Sequence, residues 1–313
     1  MIKIKITIAL YLLVGFTTVF AQKKERQSIT ENELKAHLEF IAGDLMQGRN
    51  FGTPFPGLQI TADYLKTQCL KMGLTPGGNN FSQTVKLISV QTEKENTFIT
   101  LKNSDDAVVF KSHDIMAFPG SLNNDTIRAK IVFAGYGYQK DQNGYNDFEK
   151  IDLQDKVVMI MTRNGEIARD TGHTVDHTKL EMMKLGRIFL SGAKAIILIP
   201  DPLNTDNHWF EMVQEFASSG TYVLEKQERE EFPVNIILAT SEIADAILKE
   251  SGKTLREIQQ EINRSGNPNS FEIENLNVEI QITKKTEKVE GENIIAIVEG
   301  SDPVLKNECV VLT

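Results

Sequence analysis

The sequence contains little cysteine and little tryptophan. Its 313 residues include one tryptophan and two cysteines, Cys69 and Cys309. Two cysteines do not build a disulfide framework, and they form no zinc motif of the cysteine type. Because both lie among apolar residues, the sequence favours two buried thiols. Whether they pair is left open at this point.

The sequence also lacks an excess of basic residues. Acidic side chains outnumber basic ones by 43 to 34, which gives a formal net charge of −9. A protein that binds nucleic acid normally presents a basic surface to the phosphates, so we expect no nucleic-acid partner. With 41% hydrophobic and 25% charged residues, the composition is that of a globular protein.

The first residues have the pattern of an export leader. Two lysines precede an apolar run from residue 6 to about 20, and Val19 and Ala21 occupy the two small-residue positions of a cleavage site. The alternative is a membrane anchor, but the run contains three threonines and is short for a span. We therefore expect a signal peptide at 1–21, export to the periplasm or the medium, and no stable membrane anchor after cleavage.

Two helices are predicted after the leader. Thr30 and Glu33 have the spacing of a capping box, and apolar residues at helical spacing follow over 34–45. A second apolar stripe covers 58–72, with Gly73 as the stop signal.

The pattern changes near residue 113 to short apolar runs between glycine-rich or acidic loops. The runs are 131–134, 157–161, 195–199 and 234–239. Helical patterns accompany them at about 178–190, 241–249 and 254–262. This alternation predicts a β-rich α/β module with its own core.

Three further strands are predicted towards the C-terminus. Apolar and polar residues alternate over 276–282, as in a half-buried strand. Ile294–Val298 and Cys309–Leu312 are instead continuous apolar runs. Such runs are typical of strands that are covered on both faces in an α/β sheet.

We therefore predict an α/β fold in which one domain interrupts another. After the leader, residues 22–112 and 271–313 form the host domain and residues 113–270 form the insert. The polar segment 263–270 is predicted to be the exit linker of the insert.

Short motifs do not form a complete active site. His173 and His177 have the spacing of two metal ligands on a helix, but the glutamate of a zincin is missing between them. A solvated loop or a structural metal are the alternatives there. Ser191–Lys194 matches Ser-x-x-Lys without the partner motifs of penicillin-binding enzymes, and Gly135–Gly137 is too short for a phosphate loop.

Longer segments are more informative than these motifs. Residues 40–78 contain, in order, an acidic residue at a helix end, Gly-Arg, Gly-Thr-Pro and Gly-Leu-x-Pro. The positions are Asp44, Gly48-Arg49, Gly52-Thr53-Pro54 and Gly73-Leu74-Thr75-Pro76. This order resembles the N-terminal signature of co-catalytic dizinc aminopeptidases. Gln47 departs from it, since an acidic residue is common there, and so do Phe55-Pro56, which intervene before Gly57.

The remaining segments resemble other parts of the same proteins. Residues 130–161 and 192–199 are similar to a protease-associated domain, with a strand, Gly-Tyr-Gly, an acidic Asp-Phe segment and a buried strand after Asp-Lys. Residues 292–313 look like the pair of core strands of the peptidase family. The resemblance spans essentially the whole chain after the leader.

The resemblance implies a reaction and a pair of zinc ions. In that family the strand equivalent to Cys309–Leu312 ends at a His-x-Asp motif that supplies the first zinc ligand, and the other ligands and a catalytic glutamate follow downstream. It implies hydrolysis of peptide substrates by a zinc-bound hydroxide, with the glutamate as general base. None of the five histidines has Asp two positions later; they are His37, His113, His173, His177 and His208.

We therefore expect the N-terminal portion of an exported zinc aminopeptidase-like metallopeptidase, inactive in this form. No catalytic, cofactor-binding or metal-binding residue is predicted within the chain. The alternative is a protease-associated module that binds peptides or protein partners on its own. The sequence leaves open the oligomeric state, the preferred substrate residue and whether the chain continues.

Overall fold

The structure is a computed structural model. It describes residues 29–312, with gaps at 52–54, 105, 112–114, 119–123, 140–143, 164–176, 204–211, 213–214, 216–217, 219 and 227–234. The predicted leader, residues 1–21, lies outside the described residues. The described residues form a mixed α/β fold, so the predicted fold class is confirmed at that level.

The chain divides into two compact units. Among the described residues, the terminal unit combines those up to Val85 with those from Glu290 onwards, and the central unit lies within Lys86–Val289. These limits differ from those of the predicted insert, 113–270. The assignment of an inserted domain stays a prediction.

The described helices coincide with the helical patterns in the sequence. They are α1 (Glu31–Ile41), α2 (Gly57–Lys71), α3 (His177–Leu190), α4 (Ser241–Leu248) and α5 (Leu255–Ser265). A short 3-10 helix, Asp44–Arg49, follows α1. The predicted capping box of α1 is confirmed, because Thr30 Oγ1 accepts a hydrogen bond from Glu33 N at 3.2 Å and Glu33 Oε2 accepts one from Thr30 N at 3.0 Å.

The described strands include every apolar run of the central unit. They are β1 (Thr75–Pro76), β2 (Ser82–Thr92), β3 (Phe98–Lys102), β4 (Ala107–Phe110), β5 (Ile115–Ala117), β6 (Asp125–Phe133), β7 (Val157–Met161), β8 (Ala195–Ile199), β9 (Thr221–Leu224), β10 (Asn235–Ala239), β11 (Phe271–Ile282), β12 (Lys284–Ile294) and β13 (Ala296–Ile297). Three sheets result, with the orders β1-β13, β12-β2-β9 and β4-β3-β11-β6-β7-β8-β10-β5.

The eight-stranded sheet brings four strand ends to one edge. β6, β7, β8 and β10 are parallel neighbours, so their carboxyl ends lie side by side. β11 and β3 pair antiparallel on the other side of β6. The sheet therefore contains strands from both sides of positions 113 and 270.

Helices cover this sheet on both faces. Along β7, Val157, Met159 and Met161 belong to the apolar core that includes α4 and α5, whereas Val158 and Ile160 belong to the core that includes α3. Continuous apolar strands are expected in such a three-layer arrangement. The alternating strand over 276–282 is also confirmed, since its four apolar side chains are buried.

The predicted burial of the two C-terminal runs is wrong for this chain. β12 ends at Ile294, and β13 covers Ala296–Ile297 alone. Cys309–Leu312 form no strand, and Val310 and Leu312 are 89% and 93% exposed. An apolar run becomes a buried strand where a neighbouring strand pairs with it and layers cover it. The described residues provide neither to this segment.

Cys309 is accordingly exposed and Cys69 half-buried, and both thiols are free. The expectation of two buried thiols is therefore wrong for Cys309. No helix in the described part of the chain has the length and apolarity of a membrane-crossing segment.

Candidate functional site

Polar side chains collect at the carboxyl edge of the parallel strands. In open α/β sheets this edge is where functional residues gather. Six buried polar residues lie at or beside the ends of β6, β7 and β8; they are Asp147, Thr162, Glu181, Lys184, Asp201 and Gln259. We take this group as the candidate site and call it the carboxyl-edge network.

The loop after β6 wraps around Asp147. Gly135 and Gly137 have φ of +50° and +65°, and this backbone turns the N–H groups of Tyr136 and Tyr138 towards Asp147 Oδ2, at 3.1 and 3.0 Å. Successive N–H groups in such a turn form a concavity that binds anions. Here the anion is the side chain of the protein's own Asp147.

The two glycines of this loop allow its backbone to lie close to Asp147 and to β7. A Cβ atom on Gly135 would lie 2.3 Å from Asp147 Oδ1, and one on Gly137 would lie 3.0 Å from Ile160 Cγ2. The Gly-Tyr-Gly sequence is therefore explained by its contacts with Asp147 and β7. Its convergent N–H groups are occupied by Asp147 rather than open to a phosphate.

Two hydroxyl groups complete the surroundings of Asp147. Tyr145 OH donates to Asp147 Oδ1 at 2.9 Å, and Ser270 Oγ donates to the same atom at 3.4 Å. Burial raises the pKa of Asp147 to about 6, although the hydrogen bonds from Tyr138 N and Tyr145 OH act in the opposite direction. Burial, together with the neighbouring Asp147, also raises the pKa of Tyr145.

A second branch of the network reaches α5. Tyr136 OH donates to Asn263 Oδ1 at 2.8 Å and accepts from Gln259 Nε2 at 3.0 Å. Gln259 Nε2 also donates to Asp201 Oδ1, just after β8. Burial raises the pKa of the Tyr136 phenol, so this hydroxyl keeps its proton and acts as both donor and acceptor.

The third branch is a buried ion pair on α3. Lys184 Nζ donates to Glu181 Oε1 at 2.9 Å and to two carbonyl oxygens at and just after the end of β7, Met161 O and Arg163 O, at 3.1 Å each. Burial lowers the pKa of Lys184, while Glu181 raises it. Glu181 Oε1 also accepts from Arg163 N at 2.6 Å, but Glu181 Oε2 has no partner within the described residues.

The other short motifs noted in the sequence lie outside the carboxyl-edge network. Ser191 Oγ donates to Ile188 O at the end of α3, and Lys194 Nζ lies 3.8 Å from an Asp155 carboxylate oxygen, so these two side chains serve separate local contacts. His37 Nδ1 contacts Tyr64 OH at 2.5 Å in the terminal unit.

The other histidines give no site that the structure describes. His177 is the first residue of α3, whereas His113, His173 and His208 lie outside the described residues. Within the described ranges, no group of three or more His, Cys, Asp or Glu side chains is placed to hold a metal ion.

A polar groove on α5 is a further surface feature. Its lining residues are Gly252, Lys253, Glu257, Gln260, Glu261 and Arg264. Lys253 Nζ lies 2.7 Å from both carboxylate oxygens of Glu261, and Glu257 completes the capping box of Thr254 at the start of the helix. These charges hold the helix and its neighbouring turn.

No protein-family model and no curated protein matches the chain. The function is therefore argued from the residues and their geometry. Sequence reasoning missed the carboxyl-edge network, Asp147 and Lys184 included. The available signal was a Gly-x-Gly turn directly after a buried strand, followed about ten residues later by an acidic residue between two aromatic ones.

Proposed function

We propose that the chain is the N-terminal portion of an exported zinc-dependent aminopeptidase-like peptidase with a protease-associated insert. One observation carries the proposal: the two separated segments that resemble the peptidase lie together in the terminal unit. β1, which ends the Gly-Leu-Thr-Pro motif, pairs antiparallel with β13, Thr75 opposite Ile297 and Pro76 opposite Ala296. Gly77 N extends this pairing by donating to Ile295 O at 2.9 Å.

Side chains strengthen the same association. Glu292, near the end of β12, forms an ion pair with Lys66 of α2 at 2.9 Å and accepts a hydrogen bond from Gln59 at 2.9 Å. The backbone of Ile295 donates to Phe81 O at 2.8 Å. A host domain that is interrupted by an insert requires such contacts between its two parts, which here are more than 200 residues apart in sequence.

The terminal unit also exposes many large apolar side chains. They are Ile29, Leu34, Leu38, Phe40, Leu45, Leu65, Leu70, Met72, Ile297, Val298, Val304, Leu305, Val310, Val311 and Leu312. Where exposed apolar side chains form a patch, that patch commonly packs against further structure. The proposal supplies that structure as the remainder of a peptidase sheet.

The zinc ions of the proposal do not fit the described residues, since these include no suitable group of ligands. In the proposal the ligands and the catalytic glutamate belong to sequence that follows Thr313. The 313-residue chain is then an inactive portion, with peptide substrates bound by the longer protein.

Metal analysis tests this assignment. Zinc is measured after dialysis in the 313-residue chain, in the chain extended along its natural reading frame, and in the His173→Ala variant of each. We expect stoichiometric zinc in the extended chain and in its His173→Ala variant, and none in either 313-residue chain. Tight zinc in the 313-residue chain that is lost in His173→Ala would instead assign a structural metal to His173 and His177.

A second candidate is supported by the central unit. Its eight-stranded sheet has apolar cores on both faces, as expected of a module that folds by itself. The second candidate is that this module binds peptides or protein partners on its own. In that case the extended frame adds no zinc, and the central unit by itself retains all binding.

A further inference from the structure

Asp147 is a buried carboxylate that forms no ion pair with any of the described residues. From the described residues it accepts four hydrogen bonds, two from backbone N–H groups on Oδ2 and two from hydroxyl groups on Oδ1. Lys184 is close enough for its charge to act on Asp147, but its amine donates to Glu181 and to two backbone carbonyls.

The two oxygens of Asp147 differ in whether they can carry a proton. A backbone N–H can only donate, so Oδ2 must stay an acceptor. A hydroxyl group can donate or accept, so Oδ1 can carry a proton. Ser270 is half-buried; its own hydrogen can turn to water while its oxygen accepts from Asp147.

We propose that Asp147 and Ser270 form a proton-binding site that fills in mildly acidic solution and stabilises the carboxyl edge of the sheet. One proton is taken up from solvent onto Asp147 Oδ1 and is donated to Ser270 Oγ. Tyr145 OH continues to donate to Oδ1, and the backbone N–H groups of Tyr136 and Tyr138 keep their bonds to Oδ2. The Gly135–Tyr138 loop therefore stays closed in both protonation states.

Burial, rather than the neighbouring charges, determines the sign of the effect. Tyr136 and Tyr145 are neutral phenols. The charge of Lys184 on α3 favours the ionised form of Asp147, whereas Asp201 after β8 raises the pKa of the neighbouring Tyr136. Burial outweighs these and raises the pKa of Asp147 from 3.8 to about 6 in the folded state. The folded chain then binds more protons than the unfolded chain between these values, so stability rises as pH falls through about 6 and is lost as pH rises.

Asp147→Asn is the sharpest variant. Its amide oxygen can accept from both backbone N–H groups, and its NH2 group can donate to Tyr145 OH and Ser270 Oγ. It is uncharged at every pH, as the protonated acid is, although Tyr145 OH must turn to accept a hydrogen bond from the NH2 group. Glu149→Gln, which changes an exposed acid in the same connection, is the matched control.

Thermal unfolding of the full chain at pH 5, 6 and 7 provides the test. We expect the midpoint of Asp147→Asn to exceed that of the wild type at pH 7 by several degrees, and this difference to shrink towards pH 5. Glu149→Gln should show no such trend. A difference that is independent of pH, or that grows towards pH 5, overturns the proposal, as does an Asp147→Asn chain that does not fold.

Infrared spectroscopy on the folded wild type gives an independent reading. A protonated carboxyl C=O band should appear with a midpoint near pH 6 and be absent from Asp147→Asn. Its persistence in the variant would assign the band to another acid and contradict the proposal.

Discussion

A methyl group on Gly135 would lie 2.3 Å from the Oδ1 atom of Asp147. Gly135 also has a φ of +50°, a conformation that side chains with a Cβ rarely adopt. The carboxyl-edge network therefore depends on the absence of a side chain at this position.

Gly135→Ala is expected to lower the free energy of unfolding by more than about 2 kcal/mol, because it combines backbone strain with a clash against a buried, fully hydrogen-bonded group. Urea unfolding measures the loss. Gly186→Ala is the control, since a Cβ there meets nothing within 4 Å inside α3. It should stabilise the chain by about 0.5–1 kcal/mol. Equal effects of the two substitutions would contradict the geometry of the loop.

The buried pair of Glu181 and Lys184 predicts strong coupling. Lys184→Met leaves Glu181 buried without its cation, which is expected to cost about 3–5 kcal/mol of stability. The double variant Glu181→Leu/Lys184→Met removes both charges and should recover most of that loss. A double-mutant cycle from urea unfolding measures the coupling.

An exposed ion pair serves as the comparison for this cycle. Lys35 and Glu39 are 3.6 Å apart on α1, with side chains 68% and 67% exposed. Their cycle should show little coupling, because solvent screens exposed pairs. If the coupling energy between Glu181 and Lys184 were as small as that between Lys35 and Glu39, Lys184 would not be stabilising a buried carboxylate.

The sequence predicts much of the central unit because its signals are local. β7 and β8 are continuous apolar runs that need no knowledge of their partners, and α3 and α5 have clear apolar stripes. The capping box of Thr30 is equally local, and that of Thr254, formed with Glu257, could have been found by the same rule.

Other features depend on distant residues and could not be predicted. Asp147 is explained by hydrogen bonds to Tyr136, 11 positions before it, and to Ser270, 123 positions after it. The exposed Cys309–Leu312 run shows the reverse case. Its apolar pattern is that of a buried strand, but burial requires neighbours that the local sequence does not specify.

The sheet topology predicts where the central unit can be cut. A fragment of residues 86–289 should unfold cooperatively, since it retains β3, β4 and β11. A fragment of 113–270 lacks these strands and exposes the edge of β6, so it should melt at a markedly lower temperature or aggregate. Thermal unfolding of both fragments is the measurement. Equal melting temperatures would instead support the insert boundaries predicted from sequence.

Export gives a prediction at the other end of the chain. Cleavage after Ala21 should leave Gln22 as the mature N-terminus. N-terminal sequencing of the protein from the periplasm of a Gram-negative host measures this directly. An intact Met1 in the soluble fraction would exclude the leader, and an Ala21→Arg variant should retain the leader if cleavage is at this site.

The proposed peptidase function is tested most directly by release of amino acids from aminoacyl p-nitroanilides. We expect activity from the chain extended along its natural reading frame, loss of that activity with a chelator, and recovery on addition of Zn2+. The 313-residue chain should release nothing under the same conditions. Zinc-dependent hydrolysis by the 313-residue chain, or no hydrolysis by the extended chain when loaded with zinc, would contradict the account.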